Sequence, residues 1–283
     1  MIIGILGKGG VGKSTLATQI ALFMSKQNHV LAIDADHNID FIYNLNRGSL
    51  PEMQYLGNSK KELFDYLEID NDLQYKKIDL ANINKRFSFS LDNIDPFTGE
   101  HICKLQSGLY ALAAGEQNND VLYGKACSHS LSAPLKIYLP LLEVKDGECV
   151  ILDEKAGADG ASTGVITGVD VCVIVTDASL HGTKTAKQIA GLLDFYNVPY
   201  VFVLNKVIDS EDVTFGKGAL GQKDLFHFGT HKDIMRKPGI LIDEWQEGLK
   251  NLVDNIKSKI NGDRLTRSIE KFRKQSEYEA NIN

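Results

Sequence analysis

The chain has 283 residues, 43% of them hydrophobic, which is enough to bury the core of one large α/β domain. A net charge of -6 argues against sequence-independent nucleic-acid binding, which needs a basic footprint. Four cysteines do not make a disulfide framework, and no apolar run is long enough to span a bilayer. With no basic leader ahead of the first strand, the expected compartment is reducing and cytoplasmic.

In chain order, Ile2–Leu6 is an apolar run that predicts a buried strand. Gly7 to Thr15 reads Gly-Lys-Gly-Gly-Val-Gly-Lys-Ser-Thr, and Leu16, Ile20, Phe23 and Met24 follow at helical spacing. Val30–Ile33 predicts a second buried strand, closed by Asp34-Ala35-Asp36. Residues 46–106 read as insertion-like, with an amphipathic stretch near Leu63 and a turn-rich patch at 93–99. Further strands are expected at Gly108–Ala113, Cys149–Asp153, Val169–Thr176 and Val201–Asn205. Helices are expected over Leu131–Leu142, about Gly182–Tyr196 and about Ile242–Ile260. The glycine-rich segment 209–232 is expected to form loops, and 263–283 a charged C-terminal tail or helix. Strands alternating with helices predict a doubly wound, mostly parallel sheet with helices on both faces, in one domain over 1–262.

The glycine loop between strand and helix is the context of a phosphate-binding loop of a P-loop NTPase. Its glycines let Gly9, Gly10, Val11 and Gly12 turn successive N–H groups toward phosphate oxygens, and the helix N-terminus adds its dipole. Lys13 is then placed for the β- and γ-phosphates, Ser14 for Mg²⁺, and Thr15 completes the cradle. Lys8, directly after the first glycine, resembles the deviant loop of the MinD, ParA and nitrogenase iron protein superfamily. That resemblance implies an ATP-dependent homodimer, with Lys8 reaching the partner's nucleotide. It also implies that Asp36 orients the attacking water, that Asp34 lies near the Mg²⁺ shell directly or through water, and that Asp40 is a weaker switch candidate. Asp153-Glu154-Lys155-Ala156-Gly157 resembles the second Mg²⁺-associated acid and its switch, with the Gly157 N–H approaching the γ-phosphate. Asn205-Lys206-Val207-Ile208 carries isoleucine where guanine-specific proteins place an aspartate, which favours ATP, with Asn205 pairing the adenine edge.

The cysteines divide. Cys149 and Cys172 lie inside apolar strands and are expected in the core. Cys127 and His129 share a loop as Cys-x-His, and two copies across a twofold axis would supply four ligands for Ni²⁺ or Zn²⁺. The layout from Leu112 to Cys127, with the Asp153 switch and the segment 177–186, resembles the carbon monoxide dehydrogenase accessory ATPases (CooC type). Over residues 1–45 and 108–207, this similarity implies a metallochaperone or maturation factor for nickel insertion into a carbon monoxide dehydrogenase-like client. His129 stands where that family has a second cysteine. The alternatives are an iron protein-like electron donor with a 4Fe–4S cluster, Cys103 adding a ligand, or a MinD/ParA-type positioning ATPase. His101 and Cys103 form a second Cys/His pair. The basic amphipathic run from Arg264 to Lys274 is expected to form a solvated or dimer-packing terminal helix rather than a membrane contact.

Overall fold

The computed structural model describes residues 1–116, 123, 130–223 and 225–282. The first half runs β1 (Ile2–Gly7), α1 (Lys13–Met24), β2 (His29–Asp34), α2 (Asp40–Leu45), α3 (Lys60–Leu67), β3 (Phe87–Ser88), α4 (Pro96–His101), β4 (Cys103–Gln106) and β5 (Leu109–Ala113). The second half runs α5 (Leu135–Leu141), β6 (Leu142–Glu143), β7 (Glu148–Asp153), α6 (Ala158–Ser162), β8 (Val171–Thr176), α7 (Leu180–Phe195), β9 (Tyr200–Val207), α8 (Ser210–Leu220), β10 (Phe226–Gly229), α9 (Lys232–Arg236), α10 (Gln246–Lys259) and α11 (Arg264–Ile282).

Eight strands form one sheet in the order β10-β9-β8-β1-β7-β2-β5-β4. Its pairings are parallel except that of the edge strand β4 with β5. The apolar runs are continuous because helices cover both faces, so odd and even positions are both buried. Ile2 and Leu6 enter the core shared with α5, α7 and α11, while Ile3 and Ile5 enter the core shared with α1 and α10. Cys149 and Cys172 are fully buried, and burial pushes the Cys149 thiol up to about 12; both are inert core residues, as expected.

β1 lies between β7 and β8, and the chain then winds outward in two directions, toward β2 and β5 on one side and β9 and β10 on the other. This switch point opens a crevice at the C-terminal ends of the strands, where an open α/β sheet binds its ligands.

Two segments depart from expectation. The 46–106 region is not an appendage. It supplies α3, β3, α4 and the edge strand β4, and stacks an aromatic cluster onto α5, with Phe87 and Tyr138 centroids 4.7 Å apart and Tyr66 and Phe87 5.3 Å apart. Segment 209–232 is not loop. Asp209 caps α8 by accepting from the N–H groups of Glu211 at 2.9 Å and Asp212 at 3.1 Å, and β10 then extends the sheet. Gly216 is a packing glycine, since a Cβ there would sit 2.9 Å from the Leu204 side chain.

The C-terminal segment is a helix. Its apolar face is spent inside, with Phe272 buried and Leu265 and Ile269 packed against the core. Arg264 pairs with Asp170 at 3.3 Å and Ser268 bonds Thr167 at 3.0 Å. Among the described residues, no helix is long and apolar enough to cross a membrane. Because α11 closes the core, Phe272→Ala should lower unfolding free energy by about 3 kcal/mol, measured by urea unfolding. An unchanged midpoint would mean that α11 is not an integral part of the core.

Candidate functional site: a phosphate loop at the end of β1

The loop conformation follows from its glycines. Gly10 and Gly12 adopt φ of 79° and 90°. Gly12 is the residue before α1, and a Cβ there would run into the Asn205 side-chain amide. No side chain caps the first turn of α1, and no acid occupies it, so its N–H groups are left for an external anion. Lys13 opens that helix and is buried to 8% exposure. The loop is braced from β9: the Asn205 amide donates to the Val11 carbonyl at 2.9 Å, and Lys206 Nζ donates to the Gly10 carbonyl at 2.6 Å.

A cleft of about 550 Å³ opens over this loop. Its walls include Gly9, Gly10, Gly12, Lys13, Ser14 and Thr15, with Asp36, Asp40 and Asn205 facing them. The far side is built by Thr230, His231 and Trp245. Sequence reasoning missed these three, along with the brace role of Lys206. His231 caps α9 by accepting from the Asp233 N–H at 3.3 Å, a turn role that a lone histidine does not announce. Lys8 is partly exposed on the loop and Ile208 is 85% exposed beyond Asn205.

The two strand-end acids lie deeper. Asp34 and Asp153 are register partners on β2 and β7, and both are buried. Asp34, expected near the Mg²⁺ shell directly or through water, spends both carboxyl oxygens on backbone N–H groups. One oxygen accepts from the Asp36 N–H at 3.0 Å, and the other accepts from Phe41 at 2.9 Å and Ile42 at 3.4 Å. It thereby fixes the loop that presents Asp36 and the start of α2. Burial, reinforced by the Asp153 charge, holds its carboxyl well above the usual range. Asp36 is 23% exposed and lies 3.1 Å from His37.

Asp153 is pushed up to about 7, first by burial and then by Asp36 and Asp40, while the Ser14 hydroxyl and the Lys13 ammonium pull it back down. Its Oδ1 has no hydrogen-bond partner among the described residues. An unpaired buried carboxylate oxygen beside Ser14 fits a hard divalent cation such as Mg²⁺. Next to it, Glu154 is buried and pushed up to about 8, chiefly by burial. Gly157 sits at φ 87°, and its N–H donates to the Gly7 carbonyl at 2.9 Å.

In the second Cys/His pair, His101 has no ring nitrogen left for a metal. Both His101 ring nitrogens are taken, one by the Phe97 carbonyl at 2.7 Å and the other by Ser59 Oγ at 2.8 Å, and the residue is fully buried. Among the described residues there is no group of three or more His, Cys, Asp or Glu side chains arranged to hold a metal ion. Cys127 and His129 lie outside the described residues.

The raised carboxyls carry a pH signature. An acid whose folded pKa exceeds its unfolded value binds more protons when folded, so stability falls as pH rises through that window. Asp34, Asp153 and Glu154 all have this sign. The ligand-free protein should therefore melt several degrees lower at pH 8 than at pH 5.5, and Asp153→Asn should flatten the slope. Calorimetry across that range checks it; a midpoint that rises with pH would contradict these burials.

The chain is similar to several known proteins. An uncharacterized ATP-binding protein of Methanocaldococcus jannaschii is 29% identical over 265 residues, covering 90% of this chain and 98% of that protein. The carbon monoxide dehydrogenase accessory protein CooC of Rhodospirillum rubrum is 28% identical over 229 residues, covering 80% and 81%. The fold is similar to that of a Cyanothece McdA variant in its ATP complex, with a TM-score of 0.61 at 16% identity over 92% of this chain and 97% of that one. The model of the CobQ/CobB/MinD/ParA nucleotide binding domain matches residues 2–281. The chain is a nucleotide-binding P-loop ATPase that belongs to the CobQ/CobB/MinD/ParA family.

Proposed function

We propose that this ATPase is a Mg-ATP-dependent dimeric switch that serves as a metallochaperone, delivering nickel to a carbon monoxide dehydrogenase-like metalloenzyme. The observation that carries this reading is the two-lysine phosphate loop, in a chain whose likeness to CooC extends over 229 residues. In this reading Cys127 and His129 from two subunits form the Ni²⁺ or Zn²⁺ site.

The chain's own groups divide the work. The N–H groups from Gly10 to Thr15 and the Lys13 ammonium would hold the phosphates, and Ser14 and Asp153 would hold Mg²⁺, which would supply positive charge against the phosphate oxygens. Asp153 would meet that cation as a carboxylate, the form its burial otherwise disfavours. Asp36, held at the cleft wall by the backbone bonds to Asp34, orients the attacking water and accepts its hydrogen bond. Lys13 and the α1 N-terminus oppose charge building on the phosphate oxygens.

The switch is a hydrogen-bond exchange. For the Gly157 N–H to reach a γ-phosphate it must leave the Gly7 carbonyl, so nucleotide binding trades one bond for a charge-assisted one. That trade moves α6. Lys8 then engages the partner's nucleotide, and closure brings the two Cys127 loops together. Metal affinity and nucleotide state are thereby coupled reciprocally.

Asp36→Ala should keep ATP affinity within about threefold and reduce turnover by at least about a hundredfold, whereas Lys13→Ala should lose productive binding. Calorimetry with phosphate release distinguishes them, and full turnover in Asp36→Ala would assign the water to another acid.

The metal-delivery role is tested on anaerobic protein with and without a nonhydrolysable ATP analogue. One Ni²⁺ or Zn²⁺ per dimer is expected, lost in Cys127→Ser and kept in Cys149→Ser. Lys8→Ala should abolish the analogue-induced dimer seen in sedimentation. Iron with acid-labile sulfide would instead indicate an electron donor, and no metal in any nucleotide state would remove the delivery role while leaving the ATPase.

A further inference from the structure

A second cleft, of about 560 Å³, shares no lining residue with the nucleotide cleft. It lies between α11, the C-terminal end of α7 and the end of α6. Lys136, Arg267, Lys271 and Lys274 line it, and among the described residues Glu270 is the one carboxylate on its wall. In a chain of net charge -6, that excess of cations is local.

Two of these cations are costly where they stand. Lys136 is half-buried, and burial lowers its pKa against the opposing pull of the buried Glu154. Arg267 is 9% exposed; its guanidinium donates to the Asn261 carbonyl at 3.1 Å and to the Val169 carbonyl, and its Nε has no partner among the described residues. Cations held in a concave, partly desolvated wall attract an anion more strongly than lysines on open surface.

The rim adds flat apolar surface. Phe195 is 66% exposed with Lys274 Nζ 5.9 Å from its ring centroid, and Tyr278 is 69% exposed. Exposed rings bordering a cationic hollow suit a ligand that joins anionic groups to a planar body. The volume equals that of a small-molecule site, close to the cleft over the phosphate loop.

We propose that this cleft is a second ligand site, specific for a small organic anion that carries two or more negative charges on an aromatic or similarly planar body. A polymer such as nucleic acid fits less well, because the cations converge in a hollow rather than tracking along a stripe.

The test uses the full chain with its phosphate loop filled by Mg²⁺ and a nonhydrolysable ATP analogue. The probes are the fluorescent dye 8-hydroxypyrene-1,3,6-trisulfonate, which joins three anionic groups to a planar aromatic body, and inorganic pyrophosphate. Saturable binding of about one dye per chain is expected, with pyrophosphate competing. Lys274→Glu should weaken both probes by about tenfold, and Phe195→Ala should weaken the dye while sparing pyrophosphate. Both positions are exposed, and thermal melting verifies that the variants fold. Dye binding indifferent to both substitutions, or no saturable binding, overturns the site. Displacement by a single-stranded oligonucleotide but not by pyrophosphate overturns the small-ligand assignment.

Discussion

Two carboxyl groups, Asp34 and Asp153, stand side by side at the ends of adjacent parallel strands, buried, with the Lys13 charge acting on Asp153. Like charges in that position cannot both ionise cheaply. The protein resolves the conflict by giving the two acids different partners. Asp34 is saturated by three backbone N–H groups and becomes a clamp on the β2–α2 loop. Asp153 keeps one oxygen unpaired next to Ser14, and so has room for a cation. The shape of the nucleotide cleft rests on this division, because Asp34 decides where Asp36 stands.

The phosphate loop depends on a strand remote in sequence. Asn205 and Lys206, at the end of β9, bond the Val11 and Gly10 carbonyls and so fix the loop's backbone. The Asn205 amide therefore serves the loop as well as facing the cleft, and Gly12 must lack a side chain to let it approach. On the opposite flank, the Gly157 N–H is held by the Gly7 carbonyl, so the start of the loop and the start of α6 share one hydrogen bond. A ligand that competes for that N–H has a direct mechanical path to α6.

α11 connects this core to the rest of the molecule. Its sequence reads as a basic amphipathic tail, and amphipathicity does not say whether the apolar face meets lipid, a partner or its own domain. The answer lies in the surface exposed by α5 and the turn over Val165–Gly168, which receives Phe272, Ser268 and Arg264. Once that face is spent, the basic residues on its flank are gathered around a hollow with the end of α7.

The sequence alone specifies the central strands, the order of alternating elements and the identity of the phosphate loop. Those signals are local: continuous apolar runs, glycines at positions needing positive φ, and a lysine and hydroxyl at the start of a helix. It misread 209–232 because Gly216 looks like a loop residue until Leu204 is packed against it. It left 46–106 unread because those turns are stabilised by aromatic contacts with α5, far along the chain. Packing settles what no local pattern shows: Asp34 clamps the β2–α2 loop, His101 is a core residue, and Thr230, His231 and Trp245 close the far wall. Each of these outcomes depends on which atoms from distant segments arrive within hydrogen-bonding reach. Burial and pairing of that kind are set by packing across the sheet, which no local pattern encodes.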